Sequence, residues 1–179
     1  MRLQPKGFEE FAVPSASVET KLNIRAATVA DVPLILDFIR SLAEYERAPE
    51  KAIATEEDLR RDGFGPQPKF RVVIADWEQR PAGFAFFFHY YSTWRGRPGL
   101  YLEDLFVRPE FRGKGIGKAL LKYLAGIAVR ENCYGMRWQV LDWNTPAIDF
   151  YKALGGEVLQ EWLTARVIDD ALRRLAEGV

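Results

Sequence analysis

The spacing of apolar residues changes period several times along the chain, and each change marks an element. Leu22-Asn23-Ile24-Arg25 alternates apolar and polar, which predicts a short strand. Val32, Ile35, Leu36, Ile39, Leu42 and Ala43 recur at helical spacing, so a helix with one buried face is expected up to about Tyr45-Glu46. Thr28, with Asp31 three positions on, supplies its N-cap pattern. A second helix starts at Thr55, with Glu56, Glu57 and Asp58 in the first turn, where negative charge is favoured. It ends at Asp62-Gly63-Phe64-Gly65-Pro66.

Strands follow at residues 70–75 and 81–91, joined by a hairpin loop at 76–80, and again at 100–107. Next come a glycine-rich turn, a helix to about Arg130 and a strand at 136–141. A helix opens at Thr145-Pro146 and closes at Leu154-Gly155-Gly156. A last strand is expected at 159–168 and a short helix at 169–176. Strand–helix–strand over 100–142 predicts a parallel pair, and the earlier hairpin predicts antiparallel ones. The simplest architecture is an α/β (α+β) mixed sheet with helices on both faces.

Composition narrows this little. The chain has 179 residues, 48% hydrophobic and 28% charged, which suits one domain over 22–179. Residues 1–21, with Pro5, Gly7 and Pro14, read as a loosely ordered arm without a signal-peptide core. A formal net charge of zero gives no general case for nucleic acid or an anionic membrane as partner. No run is apolar enough to span a bilayer. The lone Cys133 fits a reducing compartment, so a cytoplasmic location is expected. His89 has no metal-ligand spacing around it, and no metal is expected.

The strongest chemical signal is Arg112-Gly113-Lys114-Gly115-Ile116-Gly117, between a strand and a helix. A helix that opens on glycines presents bare N–H groups and positive potential, which bind phosphate. No Ser or Thr follows as a Walker A loop requires, and the last glycine interval is wrong for a dinucleotide fingerprint. The alternative is a glycine-rich helix start with no ligand.

Arg-x-x-Gly-x-Gly resembles the acetyl-coenzyme A loop of the GCN5-related N-acetyltransferases (GNAT). Further strings extend the resemblance to the family's diamine (spermidine/spermine) acetyltransferase branch: Leu42-Ala43-Glu44-Tyr45-Glu46, Asp62-Gly63-Phe64-Gly65, residues 101–107, and Trp143-Asn144 with Phe150-Tyr151-Lys152. The resemblance implies the GNAT fold, a mostly antiparallel sheet with a parallel pair at the cofactor site, and a homodimer. It also implies acetyl transfer from acetyl-coenzyme A to a primary amine of a small polyamine, diamine or lysine-like (thialysine) substrate.

Residue by residue, it implies that Tyr151 protonates the leaving thiolate, though Ala147, Ile148, Tyr151 and Leu154 also form a core-packing stripe. Glu103 is implied to handle the amine proton, directly or through water. It interrupts an apolar strand, where an acid calls for a partner or a purpose, and its alternative is an ion pair. Asp104 would face the other way in a regular strand, unless a bulge intervenes.

Backbone at Leu105, Phe106 and Val107, the run from Arg112 through Gly117 to Lys118, and Asn144 and Ala147 are implied to hold the cofactor. Asn144 also reads as a cap. Tyr45, Glu46, Glu103, Arg137, Trp138, Gln139 and Asp142 are implied to meet the amine. Arg137 and Trp138 depart from the polyamine relatives, and a cation at Arg137 disfavours a polycationic substrate. A non-catalytic acetyl-coenzyme A binder, or an acetyltransferase of protein lysines or N-termini, are the competing readings.

Overall fold

A five-stranded sheet organises residues 21–138. The computed structural model describes residues 21–178, which divide after Trp138 into two units, taken in turn. The arm expected at 1–21 lies outside the described residues apart from Lys21.

In the first unit, β1 (Leu22–Ala26), β2 (Arg71–Trp77), β3 (Arg80–Ser92), β4 (Arg97–Val107) and β5 (Met136–Arg137) lie side by side in that order. The first four run antiparallel to their neighbours, and β5 is parallel to β4. Helix α3 (Ile116–Arg130) provides the crossover that a parallel pair requires. Helices α1 (Val32–Tyr45) and α2 (Glu56–Phe64) cover one face. On the other face, α3 buries Ile116, Leu120, Leu124 and Ile127.

The expected apolar stripe of α1 is its buried face. Val32, Ile35, Leu36 and Phe38 pack with Val72, Phe84 and Phe106 from the sheet. Phe38 stacks on Phe84 at 5.1 Å between centroids and meets Phe106 edge-on at 6.3 Å.

The acids at the helix starts act as predicted. Thr55 and Asp58 form a reciprocal cap on α2, with the Asp58 N–H donating to Thr55 Oγ1 at 3.2 Å and the Thr55 N–H to Asp58 Oδ2 at 3.0 Å. Asp31 closes a similar box with Thr28 in a 3-10 turn ahead of α1. Arg25 on β1 bonds both Asp31, at 2.8 Å, and Asp76 on β2, at 3.0 Å. Its guanidinium holds the Asp31 carboxyl well below the usual carboxylate range.

The strand expected at 136–141 is shorter, because the parallel ladder stops after Arg137. The next positions of that register would set Gln139 against Glu103, where β4 carries a bulge that bends it.

The second unit holds α4 (Thr145–Ala153) and α5 (Asp169–Glu177). The strand expected at 159–168 is absent there, and the segment is irregular and exposed. Alternation of apolar residues gives a segment two sides, but a strand also needs a ladder partner, and none of the described strands supplies one. Its link is a side-chain bond, Gln139 Nε2 to Thr164 Oγ1 at 2.6 Å.

Phe38 is fully buried between rings, so Phe38→Ala should cost about 3–5 kcal/mol, read from urea unfolding. A loss below about 1 kcal/mol would contradict this packing.

Candidate active site

The path from β4 to α3 runs through a 3-10 turn at Pro109–Phe111 and then the glycine loop. Gly113 and Gly115 have φ of +76° and +80°, a region side chains rarely adopt. A Cβ at either would meet no atom within 4 Å, so backbone shape rather than crowding demands glycine. Gly115 is the N-cap of α3 and supplies no capping side chain. The first-turn N–H groups therefore lack the side-chain partner that Thr55 gives α2, an arrangement suited to an anion. Buried Phe111 and Ile116 pin the loop on either side.

The cations of the loop are held by rings. Lys114 Nζ lies 5.7 Å from the Trp77 ring centre. The Arg112 guanidinium lies 4.6 Å over the Tyr45 ring, at the end of α1, while its Nε donates to the Val107 carbonyl at 3.0 Å. Arg112 thereby ties the loop to both β4 and α1.

Along β4, the β3 edge is fully paired at Leu105, Phe106 and Val107. On the opposite edge β5 pairs only at Leu100 and Tyr101. From Leu102 to Val107 that edge has no strand among the described residues, and its backbone groups can pair with the amides of an extended ligand.

The acids differ from expectation. Phe86 pairs with Asp104 and Phe87 with Leu102, so Glu103 is the extra residue of a β-bulge. The bulge turns Asp104 to the face it shares with Phe86, the face covered by α1 and α2. Glu103 is exposed, and Asp104 is the more buried of the two acids. Burial, with the charges of Glu103 and then Glu46, pushes the Asp104 carboxyl up to about 7. Burial also raises Glu46, at the end of α1. Among the described residues none of these acids has a salt-bridge partner, so the ion-pair alternative for Glu103 does not hold. Arg137 is exposed, 5.9 Å over the Tyr90 ring, and Trp138 ends the unit. The described residues hold no cluster of metal-ligating side chains.

The second unit carries the other expected residues. Asn144 is nearly buried and caps α4, its Oδ1 accepting from the Ala147 N–H at 3.4 Å. Tyr151 lies in the last turn of α4, half-buried, its ring 5.4 Å from that of Phe150. Asp142 sits in the exposed turn before the cap, and Gln139 bonds Thr164. The structure thus gathers Tyr45, Glu46, Glu103, Arg112 and the glycine loop in the first unit. Asn144, Ala147 and Tyr151 lie along one helix of the second.

Comparison with known proteins agrees with this architecture. Residues 35–155 match the Acetyltransferase (GNAT) family. The thialysine N-epsilon-acetyltransferase of Bos taurus is 42% identical over 164 residues, covering 86% of this chain and 96% of that protein. The L-ornithine N5-acetyltransferase NATA1 of Arabidopsis thaliana is 30% identical, covering 86% and 87%. Among solved structures, an integron cassette protein from the mobile metagenome of V. cholerae superimposes with a TM-score of 0.75 at 28% identity, over 88% of this chain and 99% of that one. The chain belongs to the GNAT acetyltransferase family and is an N-acetyltransferase.

Two substitutions test the site's construction. Gly115→Ala should cost about 1 kcal/mol of stability through its left-handed φ, read from urea unfolding. Asp104 binds its proton more tightly folded than unfolded, so its contribution to stability is lost as pH rises from about 4 through about 7. Asp104→Asn should therefore stabilise the protein at pH 8 by on the order of 4 kcal/mol, with the gain vanishing near pH 4 in paired denaturation curves.

Proposed function

We propose that this enzyme transfers acetyl from acetyl-coenzyme A to the terminal primary amine of a small lysine-like substrate, by direct attack. The observation that carries this reading is the glycine loop that opens α3 without a capping side chain, directly after a strand whose edge beyond Tyr101 has no strand partner among the described residues. The two relatives named above support the substrate class, since thialysine and L-ornithine are both amino acids with a side-chain amine.

The residues present fit the cofactor. Backbone N–H groups from Arg112 through Lys118 suit its diphosphate, and the open edge at Leu105, Phe106 and Val107 suits the amides of its arm. Asn144 and Ala147 are proposed to border that arm. When bound, the cofactor supplies the thioester carbonyl under attack.

The acid pair Glu103–Asp104 takes the ammonium proton, with Asp104 the better-tuned base because its pKa lies near neutral pH. Glu46 and Tyr45 receive the substrate at the end of α1, with Arg137, Trp138, Gln139 and Asp142 as further contacts. Tyr151 Oη donates the proton that the leaving thiolate requires.

The family match runs across the boundary between the two units, which supports reading 22–179 as one catalytic domain. We also propose a cytoplasmic homodimer. The exposed Trp162, Leu163, Leu172 and Leu175 support an interface between copies. No helix among the described residues is long and apolar enough to cross a membrane.

The test is thiol release from acetyl-coenzyme A with thialysine, lysine, ornithine, short diamines and spermidine. Thialysine or ornithine should be the best acceptors, and cofactor binding without release for any amine would contradict catalysis. Tyr151→Phe should lower kcat by about 10²-fold or more with cofactor affinity retained. Unchanged turnover in a folded variant would remove Tyr151 as the acid.

A further inference from the structure

A cavity of about 360 Å³ opens in the first unit between the C-terminal end of α1, the end of β4 and the turn before the glycine loop. Its size suits a small ligand. Glu44, Tyr45, Phe106, Arg108, Glu110 and Arg112 line it.

The charges of this cavity are not spent on one another. Arg108 is committed to Asp37 at 2.6 Å and lies 4.9 Å over the Phe38 ring. Arg112 is held by its Nε and by the Tyr45 ring, yet forms no salt bridge among the described residues. Glu44 and Glu110 form none either among the described residues. The cavity therefore offers one oriented guanidinium fork and two carboxylates.

Ligand chemistries can be weighed against that set. A diphosphate placed here would meet the guanidinium but also both carboxylates. A polyamine would meet the carboxylates but also the guanidinium. A zwitterionic α-amino acid head satisfies both signs at once. The lining residue Phe106 and the acid Asp104 share one face of β4. They are two residues apart, about 7 Å along the strand. A lysine-length side chain is long enough to cover that interval.

We infer that this cavity is the subsite for the α-carboxylate and α-ammonium of the substrate, with Arg112 taking the carboxylate and Glu44 and Glu110 facing the ammonium. This rests on the lysine-like acceptor proposed above and assigns residues to its recognition. Arg112 then has two tasks, its backbone in the cofactor loop and its side chain in acceptor selection.

The test compares L-thialysine with bis(2-aminoethyl) sulfide, the same chain without the carboxylate, measuring kcat/KM for each amine and KM for acetyl-coenzyme A. The wild-type enzyme should favour thialysine by about tenfold or more, as expected for a charge-assisted pair. Arg112→Gln should reduce that preference about tenfold. Glu44→Gln, an independent probe should Arg112→Gln fail to fold, should lower kcat/KM for thialysine more than for α-N-acetylthialysine, which lacks the ammonium. Equal use of both amines by the wild type would overturn the subsite while leaving amine acetylation standing. So would a preference that survives both substitutions while only the KM for acetyl-coenzyme A rises. Absence of turnover with every amine would overturn the acceptor reading as well.

Discussion

Glu103 is one residue too many for the β3–β4 ladder, and much of the site follows from how the sheet absorbs it. Pairing resumes with Asp104 opposite Phe86, so a carboxyl that a regular strand would turn to the α3 face lies on the α1 face. There it is partly withdrawn from water and close enough to Glu103 and Glu46 for their charges to raise its pKa. The bulge also lies where a longer β5 would have paired, and the parallel ladder ends just before it. One inserted residue thus accompanies both a tuned acid and an open backbone edge.

The glycine loop, the end of β4 and the end of α1 are joined through Arg112. Its backbone opens the glycine turn, its Nε holds the carbonyl that ends β4, and its guanidinium rests on Tyr45 at the end of α1. Tyr45 is carried by a helix fixed to the sheet through Phe38, Phe84 and Phe106. The position of the loop is therefore tied to the main core, although a Cβ at Gly113 or Gly115 would meet no atom within 4 Å.

Most of the first unit was legible from local signals. The stripe of α1, the Thr55–Asp58 cap, the 76–80 hairpin and the glycine loop each carry their own code in spacing or residue type. The bulge was not legible, because nothing in Tyr101-Leu102-Glu103-Asp104 says which residue the neighbouring strand skips. Glu103 interrupts the apolar run, yet the structure leaves it exposed and gives the more buried position to Asp104. The strands expected at 136–141 and 159–168 failed for a related reason. Alternation reports which side chains share a face, whereas a ladder depends on a partner elsewhere in the chain. For Asn144 the sequence allows a cap as well as a cofactor contact, and the cap is the role its geometry shows.

The central claim is that the bulge makes Asp104 the group that accepts the amine proton. The pH dependence of kcat/KM for thialysine tests it most directly, in the wild type, Asp104→Asn and Glu103→Gln. The account predicts an ascending limb near pH 7 in the wild type that persists in Glu103→Gln and disappears in Asp104→Asn, with loss of rate. A limb unchanged in Asp104→Asn and abolished in Glu103→Gln would contradict it.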